Sequence, residues 1–309
     1  MKATFYGVRG SIPTPGQTTI RYGGNTTCIH VESQHNDDYI LDAGSGIREL
    51  GNTLMAKRKG KVNAKLYITH NHLDHIQGFP FFTPAYVPGC SVDVFSGDKK
   101  EAAKQDTLED KLTRTVTNKT QDTNHTKNIF AGQMDPAKGY FPINLEQMAG
   151  TISFTDLKEY EQTTNGLSVS NLYHDAHPGG MFAYKLVENN KTLVFAGDYE
   201  HDGKGKRDFG QNDKKIINWA KNADVLVIDA QYTPEEYEKK KGWGHSQIEQ
   251  ICELAAEAKV KKLVITHHDP MHNDDMLDQM QERTKKYMTE TLKQNISVVY
   301  AKEGITLDI

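Results

Sequence analysis

The chain has 309 residues, with 37 Lys and Arg set against 41 Asp and Glu, for a formal charge of −4. That balance leaves no polyanion-binding footprint, so long nucleic acid is not an expected partner. No apolar run approaches the roughly 20 residues that cross a bilayer, and the opening MKATFYGVRGSIPTPG lacks the apolar centre of a signal peptide. Cys28, Cys90 and Cys252 are far apart and form no CxxC pair. They suggest a reducing compartment rather than a disulfide framework, so the expected location is cytoplasmic with no membrane partner.

In chain order, KATFYGV, TTCIHVES and DYILDA are rich in β-branched and aromatic residues and predict strands. SGIRELGNTLMAKRK carries Ile47, Leu50, Leu54 and Met55 at helical spacing. AKLYIT is a short strand leading to His70, and SVDVF is another. Residues 98–150 change character. They open on a helix-like KKEAAKQDTLEDKLTR, pass through the apolar-poor TNKTQDTNHTKN, and contain Pro136 and Pro142. This composition predicts an insertion or lid, partly helical and mobile in its polar stretch, on one domain spanning 1–309. Strands resume with TISFTDL, LSVSNLYH, MFAYKLV and KTLVFAG. The last third alternates: strand DVLVIDA, amphipathic helix HSQIEQICELAAEAK, strand KLVITH, helix NDDMLDQMQERTKKYMTETLKQ, then strands ISVVYA and ITLDI. Strand-rich halves with interleaved helices predict an α/β sandwich, sheets inside and helices outside.

The chemistry concentrates in ITHNHLDH, which places His70, His72, Asp74 and His75 within six positions after a strand. Further candidates also follow strands: His177 after LSVSNLYH, Asp198 after TLVFAG, and His267 after KLVIT. Ends of separate strands can meet on one edge of a sandwich. Imidazole and carboxylate donors suit Zn, Mn or Fe, and the absence of a nearby thiol disfavours a structural zinc site. Four donors packed this closely exceed what one ion takes, whereas two ions sharing a carboxylate account for them. His174, Asp175, His268 and Asp269 lie beside these positions and are candidates to back the ligands.

These residues resemble the signature HxHxDH of the metallo-β-lactamase-fold hydrolases. The resemblance continues through YILDAGSG with Asp42, HPGG with His177, FAGDY with Asp198 and ITHHDP with His267, covering nearly the whole chain outside about 98–150. It implies an αββα sandwich. It also implies that His70, His72 and His177 hold one metal, that Asp74, His75 and His267 hold a second, and that Asp198 bridges them. Asp42 would hydrogen-bond the far ring nitrogen of a ligand histidine, with His268 as another such backing residue.

Within that family, an aspartate rather than a cysteine at position 198 resembles the phosphodiesterase and ribonuclease Z branches. KKKGWGHSQIEQ resembles their Gly-His-Ser/Thr segment, in which the histidine faces the scissile phosphate. His245 is therefore expected to act with Asp74 and Asp198 in the chemistry, the alternative being a helix cap. No Lys-rich arm for gripping tRNA is evident, so the implied substrate is a small, even cyclic, phosphodiester attacked by a hydroxide shared between two divalent metals, zinc foremost. The alternatives are a lactone or thioester hydrolase and a non-hydrolytic, dimetal (even diiron) sensor. A homodimer is one open oligomeric state.

Overall fold

The computed structural model describes residues 1–97, 125–157, 161–164 (backbone only) and 166–309. Two seven-stranded sheets stack face to face. The first has β1 (Lys2–Gly7), β2 (Cys28–Glu32), β3 (Asp38–Leu41), β4 (Asn63–Tyr67), β5 (Ser91–Ser96), β6 (Thr151–Asp156) and β14 (Thr306–Asp308), in the order β14-β1-β2-β3-β4-β5-β6. The second has β7 (Glu161–Thr164), β8 (Leu167–His174), β9 (Met181–Glu188), β10 (Lys191–Gly197), β11 (Val225–Asp229), β12 (Lys262–Thr266) and β13 (Ser297–Tyr300), in the order β13-β12-β11-β10-β9-β8-β7.

Three apolar layers join four layers of structure. Between the sheets lie Phe5, Val31, Leu41 and Tyr67 from the first and Tyr184, Phe195, Val227 and Val264 from the second. Outside the first sheet, α1 (Ile47–Lys57) seals Ile47, Leu50 and Leu54 against Ile40, Leu66 and Val92. Outside the second, α4 (Gln211–Trp219), α6 (Ile248–Glu257) and α7 (Asp274–Lys286) cover Leu226, Ile228, Leu263 and Ile265. Each large apolar side chain so buried contributes roughly 1.5–3 kcal/mol. The αββα sandwich expected from the strand and helix pattern is the observed architecture.

Strand direction decides where the site lies. In the first sheet β3, β4, β5 and β6 run parallel, and β1 joins them because it is antiparallel to β2, which is antiparallel to β3. In the second, β10, β11, β12 and β13 run parallel, and β8 joins them through antiparallel β9. The carboxyl ends of ten strands thus share one edge in each sheet. The two edges are tied where Phe182 N donates to Thr69 O at 2.9 Å and Tyr184 Oη donates to Ile68 O at 2.7 Å.

Several elements differ from the sequence expectation. The helix expected over 99–114 and most of the insertion lie outside the described residues. The last four residues of TNKTQDTNHTKN open a helix, α3 (His125–Gln133). Its start is capped from afar: Asp156 on β6 accepts from His125 N at 2.7 Å and Thr126 N at 2.9 Å. Phe130 then packs on Phe79 at 4.7 Å. α4 was not expected, because its apolar content is confined to Ile216, Ile217 and Trp219 after a charged loop. The amphipathic helix begins at Ile248, with Gln247 capping it, rather than at His245.

Candidate metal centre

Six of the strand ends at the shared edge deliver polar side chains to one place. Asp42 follows β3, and His70 to His75 follow β4 and open the short helix α2 (Leu73–Ile76). His177 follows β8, Asp198 follows β10, Asp229 ends β11 and His267 follows β12. Seven of these donors converge. His70, His72 and His177 form one group, and Asp74, His75, Asp198 and His267 a second, with the donor atoms of each group within 4.8 Å of one another. Asp198 touches both: its Oδ2 lies 3.2 Å from His75 Nε2, 3.6 Å from His70 Nε2 and 3.9 Å from His177 Nε2, while its Oδ1 lies 3.3 Å from His267 Nε2. Asp74 Oδ2 sits 3.1 Å from His267 Nε2 and 3.3 Å from His75 Nε2.

The far nitrogens of three rings are anchored by the fold. His75 Nδ1 donates to Asp42 Oδ2 at 2.8 Å. His70 Nδ1 lies 3.1 Å from the hydroxyl of Thr69, which itself donates to Asp42. His177 Nδ1 donates to Gly244 O at 2.8 Å. A neutral imidazole that donates from Nδ1 presents a lone pair at Nε2. Those lone pairs face one another: His75 Nε2 and His267 Nε2 are 3.3 Å apart, and His177 Nε2 and His72 Nδ1 are 3.1 Å apart. Buried His70 Nε2 and Asp198 Oδ1 have no hydrogen-bond partner. Facing lone pairs and orphaned buried donors are what a divalent cation resolves, so the donor set fits metal.

Electrostatics follow the same division. Burial holds the His70 imidazole well below its ordinary pKa and His177 down to about 4, which keeps both as neutral donors. Burial works against charge on His75 too, but Asp198, Asp74 and Asp42 outweigh it and raise that group. Burial likewise opposes ionisation of Asp74 and Asp198, and the surrounding histidines overcome it, holding both carboxyls well below the usual range.

Close backbone approach shapes the centre. A side chain at Gly10 would put its Cβ 2.4 Å from the His267 ring, and one at Gly244, whose φ is +91°, would meet His177 Nδ1 at 2.3 Å. Ser11 N donates to Asp74 Oδ2 at 2.7 Å, so the loop after β1 helps orient that carboxylate.

His245 joins the cluster from the loop before α6. Its ring stacks 5.0 Å from His267 and lies 5.2 Å from His177. Its Nδ1 donates to Asp229 Oδ2 at 2.6 Å. Burial works against charge on this ring, but the Asp229 carboxylate outweighs it and pushes the group up to about 9. Asp229 was missed in the sequence. The signal was present, because it ends the apolar strand DVLVIDA just as the other site residues follow theirs. Glu200 was missed as well: it accepts from Gly242 N at 2.6 Å and Gly244 N at 2.7 Å, fixing the loop that presents His245.

Other candidates lie elsewhere. His268 points away from the centre: its Nε2 donates to Ala301 O at 2.9 Å and its ring stacks on Tyr300. It touches no ligand histidine, because the backbone turns at His267, whose φ is 59°. Asp269 pairs with Lys240 at 2.8 Å. His174 is buried 5.5 Å from Tyr199, and Asp175 is exposed. Among the described residues no helix is long and apolar enough to cross a membrane.

Comparison with known proteins agrees with this fold. The family described as the β-lactamase superfamily domain matches residues 38–268, about three quarters of the chain. The ribonuclease Z of Picrophilus torridus is 26% identical over 304 residues, covering 88% of this chain and 87% of that protein. The metallo-β-lactamase fold protein YhfI from Bacillus subtilis superposes with a TM-score of 0.64 at 15% identity, covering 99% of this chain and 98% of that one. A diphosphatase from the PhnP family superposes with a TM-score of 0.60 at 15% identity, covering 100% and 97%. With a family match over most of its length, the chain belongs to the β-lactamase superfamily.

Proposed function

We propose that the chain hydrolyses a small, even cyclic, phosphodiester at a dinuclear centre. His70, His72 and His177 would hold one ion, Asp74, His75 and His267 the other, with Asp198 placed between the two groups. Zinc is the favoured metal for such imidazole and carboxylate donors, with Mn and Fe as substitutes. Two bound cations supply Lewis acidity toward phosphoryl oxygens and lower the pKa of water from about 15.7 toward roughly 7.

The observation that carries the reading is the place of His245. It lies against both ligand groups, yet Asp229 takes its Nδ1, which leaves Nε2 to face substrate. A proton held there answers a need specific to an alkoxide leaving group. The bond formed joins phosphorus to a water oxygen, and the bond broken releases the leaving oxygen, which takes the proton from His245 Nε2. The attacking water gives up one proton to solvent, and solvent returns one to His245 after product departs. Asp229 keeps the ring in the tautomer and orientation this requires.

The reading draws further support from two similar proteins: one is named a ribonuclease and the other is titled a diphosphatase. The first name returns RNA to the substrates to be tested. The near-neutral charge of this chain favours the small diester. The test is a panel of cyclic nucleotides, bis(p-nitrophenyl) phosphate, RNA and lactones with metal-loaded protein. His245→Ala is expected to slow cyclic nucleotides by about 10²-fold or more and p-nitrophenyl esters far less, since that leaving group departs without a proton. Turnover of lactones in place of phosphodiesters, with no effect of His245→Ala, overturns the reading.

A further inference from the structure

Beside His245 a cavity of about 540 Å³ opens to solvent, lined in part by Gln231, Tyr232, Lys240, Trp243, Pro270 and Met271. Ser11 and His245 also line it, and both belong to the metal centre's surroundings. Two features are unexplained by folding. Trp243 and Met271 are 62% and 86% exposed, although large apolar side chains are costly to leave in water. Gln231 is only 3% exposed, yet its buried Oε1 has no hydrogen-bond partner. An orphaned amide oxygen of this kind carries a desolvation cost that a ligand can relieve. Lys240 is already engaged: its Nζ pairs with Asp269 and lies 4.2 Å over the Tyr232 ring. It therefore closes one face of Tyr232 and leaves Trp243 as the free aromatic surface.

We infer that this cavity binds a flat heterocycle carried on the leaving-group side of the substrate, stacked on Trp243 and hydrogen-bonded at its polar edge by the Gln231 amide. The side is set by His245, the proton donor to the leaving oxygen, which lines the cavity and stacks on His267. A heterocycle is favoured over an aliphatic chain because the cavity pairs a stacking surface with a buried amide. An amide both donates and accepts, as the edge of a nitrogen heterocycle does. The inference rests on the phosphodiesterase reading for the direction of the substrate, but binding at the cavity can be measured without turnover.

The chain has two tryptophans, and Trp219 packs under Lys185 Nζ at 3.9 Å, away from this cavity. In a metal-loaded Trp219→Phe protein, adenosine is expected to quench the Trp243 fluorescence saturably and ribose is not. Kinetically, adenosine 2′,3′-cyclic phosphate should exceed ribose 2,3-cyclic phosphate in kcat/KM by on the order of tenfold. Trp243→Ala and Gln231→Leu should each collapse that ratio toward one. Trp243 is exposed, so its loss does not threaten folding. Equal losses on both esters, or adenosine that neither quenches nor confers preference, overturn the heterocycle site. If adenosine quenches but neither ester is hydrolysed, the cavity stands and the phosphodiesterase reading falls.

Discussion

Asp42 and His267 both occupy left-handed backbone conformations, φ 61° and 59°, which non-glycine residues adopt at a cost of roughly 1–3 kcal/mol. Both face the metal centre, one anchoring His75 and the other offering Nε2 to Asp74 and Asp198. Strain confined to such positions is tolerated because the sheets behind them are fully packed. Asp229 is the residue at this scale whose role can be isolated. It accepts from His245 Nδ1 at 2.6 Å and Tyr199 N at 3.3 Å, and none of the seven proposed ligands is hydrogen-bonded to it, so its shortest link to the centre is through the His245 ring. Asp229→Asn keeps the shape and removes the charge. The variant should retain its metal and melting temperature, and it should lose on the order of 10–100-fold in turnover of cyclic nucleotides, as losing a partner that orients a site histidine does. Turnover of p-nitrophenyl esters should fall much less. A parallel loss on both substrates would show that Asp229 merely holds the fold.

At the scale of elements, strands were the legible part of the sequence. Short β-branched runs such as DYIL and KLVIT are buried almost throughout, and the segments that follow strands supplied all seven proposed ligands. The start of α3 was not legible, because its cap is Asp156, some thirty positions away. The start of α6 was misplaced because HSQ resembles a cap, whereas Gly244 must adopt φ +91° to bring His245 against His177. The join between α1 and the first sheet shows how such non-local links stabilise. Arg58, just past α1, donates to Asp38 through Nε at 2.9 Å and Nη2 at 2.8 Å, and His30 Nε2 donates to the same carboxylate at 2.9 Å. Burial opposes ionisation of Asp38, but Arg58 and His30 outweigh it and hold its carboxyl below the usual range. A group depressed in the folded state stabilises above its ordinary pKa and loses that contribution as pH falls through the folded value. Asp38→Asn should therefore cost roughly 3–5 kcal/mol at neutral pH. The gap to the parent should close on acidification below about 4. Urea unfolding at both pH values checks this, and a gap independent of pH would assign the loss to packing.

Across the whole molecule the centre is a seam between the sheets. The loop after β4 in the first sheet brings His70, His72, Asp74 and His75, and the second sheet brings His177, Asp198 and His267. Neither sheet alone completes either donor group, since His177 joins the first and both Asp198 and His267 join the second. Direct bonds also join the sheets at this edge: Phe182 N to Thr69 O, Tyr184 Oη to Ile68 O, and, between the loops after β1 and β12, His268 N to Val8 O and Gly10 N to His268 O. Cations held by donors from both sides would thus act as cross-links as well as reagents. Without them, buried donors such as His70 Nε2 and Asp198 Oδ1 lack a partner. Binding to the folded state alone adds about 2.7 kcal/mol per site when free metal is a hundredfold above Kd. Chelation should then lower the melting temperature of the entire chain, and readdition of zinc should restore it. Hydrogen exchange should quicken together at 68–78 in the first sheet and at 175–180, 198–203 and 267–272 in the second. Asp198→Ala should lose one ion before it loses the fold, and it should recover only part of the stability on zinc addition. If chelated, verifiably metal-free protein melts at the same temperature as loaded protein, or if exchange quickens in one sheet's loops alone, the metals do not join the sheets and the shared role of Asp198 fails with that account.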